Sequence, residues 1–347
     1  MMFQAKSKTG ILNFLKLAEE IPVVDVRSPS EFSYGHIPGA FNIPLFDDGE
    51  RAAVGTKYRK EGRIEAILEG IRLTGASMHS KLEQGLKIAK DGKLLVHCWR
   101  GGMRSEAMAW LFALGDIDTE ILEGGYKSYR HFVLDTLSVN RKMIILGGLT
   151  GSGKTRILRY LKNSGHQVID LEGLANHKGS AFGSLGQLQQ PSSEHFANLL
   201  ADIWRKTDNN HPVWLEDESR SIGTVFLPEE FYLNMQLNPA IILLMDTKTR
   251  LPRLLEEYSG YSPEDLVSSV MKISRRLGGD RTSEAVDAIH RGDFAGAIGI
   301  ALQYYDKAYL YGLKRKPENN IYYIDTDTDD VEINAGKIIE VAEKKII

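Results

Sequence analysis

Short apolar runs alternate with helix-periodic segments along the chain, and the series is played twice. In the first series Val23–Val26, Phe41–Pro44, Lys93–His97 and Glu120–Leu122 read as buried strands, while Met78–Ala89 and Glu106–Leu114 carry apolar positions at helical spacing. Gly35-His36-Ile37-Pro38-Gly39-Ala40 is loop chemistry, because two glycines and a proline break regular structure. Residues 47–76 are charged and only weakly periodic, so helices there have no marked ends. The second series opens at Lys142 with the strand Met143–Leu146 and continues through Val168–Ile169, Val213–Leu215, Ile241–Met245 and Ile321–Ile324. Helical patterns over Ser193–Lys206, Ser262–Leu277 and Phe294–Leu310 lie between them. Strands alternating with helices predict an α/β fold with parallel sheets in both halves. The boundary falls at Val139–Arg141, giving domains 1–138 and 139–347, the second with a helical C-terminal part.

Composition narrows the partners. The chain is 42% hydrophobic and 26% charged with a net charge of −3, and neither half is basic, so neither a DNA nor a membrane surface is expected. Lys314-Arg315-Lys316 and the group Arg156, Arg159 and Lys162 are local basic clusters that read as solvated faces. One cysteine in 347 residues excludes an intramolecular disulfide and suits a reducing compartment. Residues 1–10 hold no apolar signal core and no stretch approaches a membrane span, so the expected location is the cytoplasm.

That single thiol, Cys98, sits in His97-Cys98-Trp99-Arg100-Gly101-Gly102-Met103-Arg104-Ser105, between a strand and a helix. A tight turn there aims backbone N–H groups and the positive end of a helix dipole at the sulfur, and Arg100 and Arg104 add charge. All of these favour thiolate, the nucleophilic form. The second half begins with Gly148-Leu149-Thr150-Gly151-Ser152-Gly153-Lys154-Thr155, a full G-x-x-x-x-G-K-[ST] motif between an apolar strand and an amphipathic helix. Gly148, Gly151, Ser152 and Gly153 let N–H groups surround a phosphate, Lys154 reaches across it, and Thr155 can hold a magnesium ion. Asp217, at the end of the Val213–Leu215 strand, is the expected metal-orienting carboxylate, with Asp246 competing for the role. Ser219 and Arg220 follow and could close over a bound phosphate. No Cys/His set has the spacing of a structural zinc site.

Asp25-Val26-Arg27, Glu31-Phe32, Gly35–Ala40, Asn42-Ile43-Pro44, His97-Cys98 and Glu123-Gly124-Gly125-Tyr126 together resemble a rhodanese domain over most of residues 10–135. The active loop departs from that pattern. Rhodanese sulfurtransferases place four residues between cysteine and closing arginine, whereas five separate Cys98 from Arg104, the spacing of Cdc25-like cysteine phosphatases. A longer loop rings a larger tetrahedral anion, so a phosphate-like ligand is expected. The fold class is therefore a rhodanese-like parallel-sheet domain followed by a P-loop NTPase-like α/β domain. The order of domains, the Cys98 motif, and the stretches Asp170–Gly183 and Trp214–Arg220 resemble the tRNA 2-selenouridine synthase family over almost the whole chain. Lys178 stands where that pattern has arginine, which keeps the charge and loses the bidentate fork.

The resemblance implies conversion of wobble 2-thiouridine in tRNA to 2-selenouridine, with selenophosphate as selenium donor and an S-geranyl-2-thiouridine intermediate made from geranyl diphosphate. No tightly bound cofactor is expected, and magnesium is optional. The partners implied are tRNA carrying the thiolated base and an enzyme that supplies selenophosphate. Cys98 is assigned as transient selenium carrier, with Arg100 and Arg104 on the phosphate. Trp99, Gly101, Gly102, Glu172, His177, Lys178 and Glu216 are assigned to substrate, and Arg220 joins the P-loop on phosphate. An apolar slot for the isoprenoid is sought at Leu174, Phe182 and Leu185. Three other readings compete: a sulfurtransferase fused to a P-loop kinase or ATPase, a cysteine phosphatase or arsenate reductase, and a tRNA-binding regulatory module.

Overall fold

The computed structural model describes residues 7–314 and 316–347, so Arg315 of the basic triplet lies outside the described residues. The chain divides into two compact units, one running to Thr136 and including Ala197–Asp202, the other made of Leu137–Phe196 and Ile203–Ile347. The division falls inside the helix Gly125–Ser138 rather than in a linker.

The first unit carries a five-stranded parallel sheet: β1 (Lys8–Thr9), β2 (Val23–Asp25), β3 (Phe41–Asn42), β4 (Lys93–His97) and β5 (Asp118–Leu122), in the order β1-β5-β4-β2-β3. Its central strand β4 is buried from Leu94 to His97, which explains its unbroken apolar run. The helices are α1 (Ile11–Leu17), α2 (Pro29–Tyr34), α3 (Asp48–Glu61), α4 (Arg63–Thr74), α5 (Met78–Ile88), α6 (Met103–Ala113) and α7 (Gly125–Ser138). Val24, Ile43, Val96, Met108 and Phe112 form the core under Cys98. The charged stretch after Asp47 becomes α3 and α4. Asp47 caps α3 by accepting from the Glu50 N–H, and Gly62, at φ +95°, turns the chain into α4. The weak periodicity has a cause: α3 buries none of its residues, and α4 buries only Ala66, Gly70 and Thr74.

The second unit has a parallel sheet of β6 (Met143–Gly148), β7 (Gln167–Ile169), β8 (Val213–Glu216), β11 (Ala240–Met245) and β12 (Ile321–Thr326), ordered β12-β11-β6-β8-β7. A short antiparallel hairpin, β9 (Ser221–Ile222) and β10 (Val225–Phe226), stands apart from it. Helices α8 (Lys154–Asn163), α9 (Leu171–Leu174), α10 (Ser193–Trp204), α11 (Glu229–Leu237), α12 (Thr247–Tyr258), α13 (Pro263–Leu277), α14 (Gly279–His290), α15 (Phe294–Leu313) and α16 (Val331–Lys345) complete the chain. Ile144, Leu146, Trp214, Ile241 and Leu243 of the sheet pack with Ile157 and Leu161 of α8 and Ile338 of α16. A separate core of Leu254, Val270, Ile289 and Leu302 holds α12 to α15 together. The helical part predicted at the C-terminus is thus an insertion before β12, the strand that closes the sheet edge.

Because β6 is the middle strand and its chain leaves at its C-terminal end, the glycine-rich turn lies at the crevice where open α/β sheets bind ligands. Two arginines of α12 brace that turn from outside. Arg250 Nη1 donates to Thr150 O at 2.8 Å and Arg253 Nη1 donates to Gly151 O at 3.0 Å. The buried Arg250 also forms a fork with Asp306 of α15, at 3.0 and 2.6 Å. Arg250→Met should strand the Asp306 carboxylate and free the Thr150 carbonyl. We expect a loss of about 3 kcal/mol in the transition of the second unit, read by chemical denaturation against the parent protein.

Candidate active site

In the first unit the turn from β4 to α6 holds Cys98 at its base, buried to 4% exposure. The thiol lies 3.4 Å from Ser105 Oγ, whose hydroxyl is also 2.8 Å from Gly102 O and can turn its one proton to either. Burial opposes ionisation of Cys98. The Ser105 hydroxyl, the N–H groups of Arg100 and Ser105, and the Arg104 charge overturn it, so the thiol sits below its ordinary pKa. Arg100 thus acts on the sulfur through its backbone, while its side chain is exposed. Arg104, assigned to phosphate, is held by Glu31: its Nη1 donates to Oε2 at 2.7 Å. Glu31 is itself placed by the capping box at the start of α2. Trp99 remains partly exposed at the loop.

Gly101 and Gly102 serve the turn, Gly101 with φ +65°. Across from them the Glu123-Gly124-Gly125-Tyr126 signature closes against the loop. Tyr126 N–H donates to Cys98 O at 2.8 Å and Lys127 N–H to Trp99 O at 3.0 Å. A Cβ on Gly125 would stand 2.4 Å from Cys98 O and 2.5 Å from Gly101 N. Asp25 and Arg27 are buried structural partners, with Arg27 Nη2 donating to Asp25 Oδ2 at 2.6 Å and the guanidinium 3.6 Å over the Tyr126 ring. His97 is fully buried, 3.7 Å from Asp25, and burial pushes its imidazole below the ordinary range. Its ring faces Tyr126 inside the fold, the position of a packing residue rather than a proton carrier.

In the second unit, positive φ at Gly148, Gly151 and Gly153 curls the loop into α8. Lys154 Nζ donates to Gly148 O at 2.9 Å, so the ammonium spans the loop. Thr155 Oγ1 lies 3.3 Å from Glu172 Oε2. Ser152 Oγ is buried and makes no hydrogen bond to protein.

The acids around the loop divide by environment. Asp217, expected at a metal, is taken up by Lys316 Nζ at 2.5 Å and the Tyr309 hydroxyl at 2.9 Å, and that hydroxyl also accepts from Gly148 N. Asp246 is exposed at the start of α12. Among the described residues no group of three or more His, Cys, Asp or Glu could hold a metal. Thr155 faces Glu172, and Asp217 is engaged by Lys316 and Tyr309. Glu216 is fully buried; its Oε2 accepts from Leu171 N at 2.9 Å, and its Oε1 lacks a partner. Burial, with Asp170 and Glu172 nearby, pushes its carboxyl well above the ordinary range. Glu218, missed as a site residue, is raised in the same way by burial and by Glu172. Glu172 is raised by burial against the pull of Lys154. Lys154 and Thr155 therefore face a carboxyl pair that shares its charge.

His177 is buried, and burial lowers its imidazole. Lys178 pairs with Glu257 at 2.5 Å, and Arg220, exposed, with Glu229 at 3.2 Å. Neither cation meets the P-loop. Phe182 and Leu185 pack into the core of α12 to α15, which leaves about 30 Å³ beside Phe182. That is space for a water and not for a ten-carbon chain.

An activated cysteine on a rhodanese sheet, joined to a P-loop on a second parallel sheet, defines a two-domain rhodanese/P-loop transferase. Residues 12–131 match the rhodanese-like domain, and residues 141–333 match the tRNA 2-selenouridine synthase AAA domain. The tRNA 2-selenouridine synthase of Nitrosomonas europaea is 34% identical over 353 residues, with 86% of this chain and 91% of that protein covered. The proteins of the same name from Pseudomonas syringae pv. syringae and Shewanella frigidimarina are 37% and 36% identical, covering 86% and 88% of this chain and 90% and 92% of their own. The chain belongs to the tRNA 2-selenouridine synthase family of enzymes.

Two titrations test this site. With one thiol in the chain, the ultraviolet thiolate absorbance lost in Cys98→Ser belongs to Cys98. Its midpoint should fall below that of free cysteine, and Ser105→Ala should move it upward; a midpoint at or above free cysteine would contradict the geometry. In the second unit Glu216 keeps a proton that the unfolded chain releases in the ordinary carboxylate range. Stability due to this group is full below that range and is lost as pH rises toward the raised folded value. Glu216→Gln keeps an acceptor for Leu171 N–H without that loss, so its melting temperature should gain on the parent as pH rises from 5 to 8.

Proposed function

We propose that the chain converts 2-thiouridine at the wobble position of tRNA to 2-selenouridine in two steps, one at each loop. The observation that carries this reading is the pair of unlike anion-binding turns, one with an activated thiol and one with a lysine. At the P-loop, the thiocarbonyl sulfur of the base attacks C1 of geranyl diphosphate. A carbon–sulfur bond forms, the carbon–oxygen bond breaks, and diphosphate leaves. Lys154 and the loop N–H groups bear the charge that develops on it, an electrostatic task that needs no nucleotide. Alkylation makes the sulfur a better leaving group. At the Cys98 loop the selenium of selenophosphate then bonds to C2 as the carbon–sulfur bond breaks; geranyl thiol departs with a proton, and water cleaves the phosphorus–selenium bond to release phosphate. The five-residue loop suits the tetrahedral phosphate part of the donor, and Cys98 serves the selenium-donor step.

The supports are the matched names of the relatives, which concern 2-selenouridine in tRNA, and the lowered thiol pKa. A P-loop kinase fused to a sulfurtransferase is the rival reading. It loses ground because Asp217 is engaged by Lys316 and Tyr309 rather than free for a nucleotide-bound metal.

The reading is tested by mass spectrometry of thiolated tRNA incubated with protein, geranyl diphosphate and selenophosphate. The parent protein should give the mass of the selenated base. Cys98→Ala should accumulate the S-geranyl base and stop there; Lys154→Ala should leave the thiolated base unchanged. Loss of both steps in folded Cys98→Ala would refute the division of labour, and an unchanged mass with the parent would refute the reaction.

A further inference from the structure

A large apolar space in the first unit lies beside the Cys98 loop. It has a volume of about 840 Å³, within the range of pockets that enclose small molecules. Its floor is Leu45, Phe46, Met108 and Leu111, four members of the core that also contains Cys98. α3 and α4 form the opposite wall, and the small buried residues Ala66, Gly70 and Thr74, four apart, keep that wall thin. Met103, Arg104, Ala107, Met108 and Leu111 lie on one face of α6 and line the space from the residue that closes the Cys98 loop onward. The pocket therefore begins where the anion-binding turn ends.

Its chemistry is asymmetric. No Asp or Glu lines it, while Arg51, Arg59, Lys81 and Arg104 do. Arg51 and Arg104 both reach Glu31, at 3.6 and 2.7 Å, which fixes the rim next to Cys98. Apolar side chains that could have packed on each other remain open: Ile71 is 63% exposed and Tyr58 52%. A 14-residue helix that buries none of its side chains, standing over an apolar floor, is what a ligand-binding wall looks like before the ligand adds its own surface. The occupant this combination fits is a long apolar chain carried by an anionic molecule that reaches the Cys98 loop.

We infer that this pocket binds the isoprenoid chain of the S-alkylated tRNA base while the base is presented to Cys98. The inference rests on the two-step reading above and adds a substrate site to it. The first unit selects its substrate by the alkyl group, so unalkylated thiouridine is passed over. The chain is read here, rather than in the 30 Å³ space beside Phe182. Anchoring the leaving group also aims C2 of the base at the selenium donor, which links the pocket to rate as well as affinity.

The test uses full-length protein and two synthetic anticodon stem-loop RNAs, bearing S-geranyl-2-thiouridine or S-methyl-2-thiouridine. Binding is measured by fluorescence anisotropy without selenophosphate. The parent protein should prefer the geranyl RNA by about tenfold or more, since each buried methylene adds affinity. Ala66→Phe fills the pocket from α4, and Ile71→Gln makes its open edge polar without disturbing a buried side chain. Both should bind the methyl RNA as the parent does and lose the geranyl preference. With melting temperatures near the parent's, an intact preference in both variants would place the chain elsewhere and overturn the proposal. So would a parent that does not distinguish the two RNAs. If instead a second copy of the chain fills the pocket, light scattering will show a dimer that Ala66→Phe dissociates, and this too overturns it. Addition of selenophosphate separates the two readings: a parent that prefers the geranyl RNA but never selenates it supports the pocket and sinks the two-step reaction.

Discussion

Two stretches of backbone in the first unit lie closer than any side chain permits, and its chemistry hangs on that approach. Gly125 sits against Cys98 O, Arg100 N and Gly101 N, and Gly101 sits against Leu122 O. The Tyr126 and Lys127 N–H groups then take the carbonyls of Cys98 and Trp99, which turns those carbonyls away from the thiol and leaves loop N–H groups for it. The sulfur gains an ionised form without a nearby histidine base. His97 is spent on packing, and the work is done by Ser105, backbone N–H groups and Arg104. Activation by fixed dipoles leaves the loop N–H groups able to receive an anion as well as the thiolate.

The second unit solves the opposite problem. It gathers carboxyl groups Glu172, Glu216 and Glu218 near a lysine and raises their pKa values by burial. Glu216 in particular is pushed toward its protonated form by burial and accepts from Leu171 N–H. The glycine-rich loop thereby faces carboxyl groups with raised pKa values rather than ordinary carboxylates. Asp217, the acid at the strand end that an ATPase would turn toward a metal, is tied to Lys316 and Tyr309 instead. Arg250 and Arg253 brace the loop from a different helix through the Thr150 and Gly151 carbonyls.

Much of this was legible in the chain. Strand β4 with its cysteine turn and β6 with its glycine turn are short-range patterns, and both appear where the sequence puts them. So do α5, α10 and α13, whose apolar positions repeat at helical spacing. The sites were legible only as far as they are local. Arg250 and Arg253 stand a hundred residues from the loop they brace, and Tyr309 lies 161 residues from the Gly148 N–H it accepts. Nothing in their own neighbourhoods announces it. The pairing of Arg104 with Glu31 and of Lys178 with Glu257 likewise depends on tertiary approach. The pocket beside Cys98 was invisible for a subtler reason. Its walls are helices whose apolar residues point at open space, and weak amphipathicity in α3 looks like an uncertain helix rather than a binding surface.

The burial of Cys98 has a further consequence for its redox life. The thiolate character that makes it a nucleophile also makes it oxidisable, and a sulfenic acid is normally rescued by a neighbouring thiol. These 347 residues contain no other sulfhydryl. Recovery of an oxidised Cys98 therefore depends on a thiol supplied by another molecule.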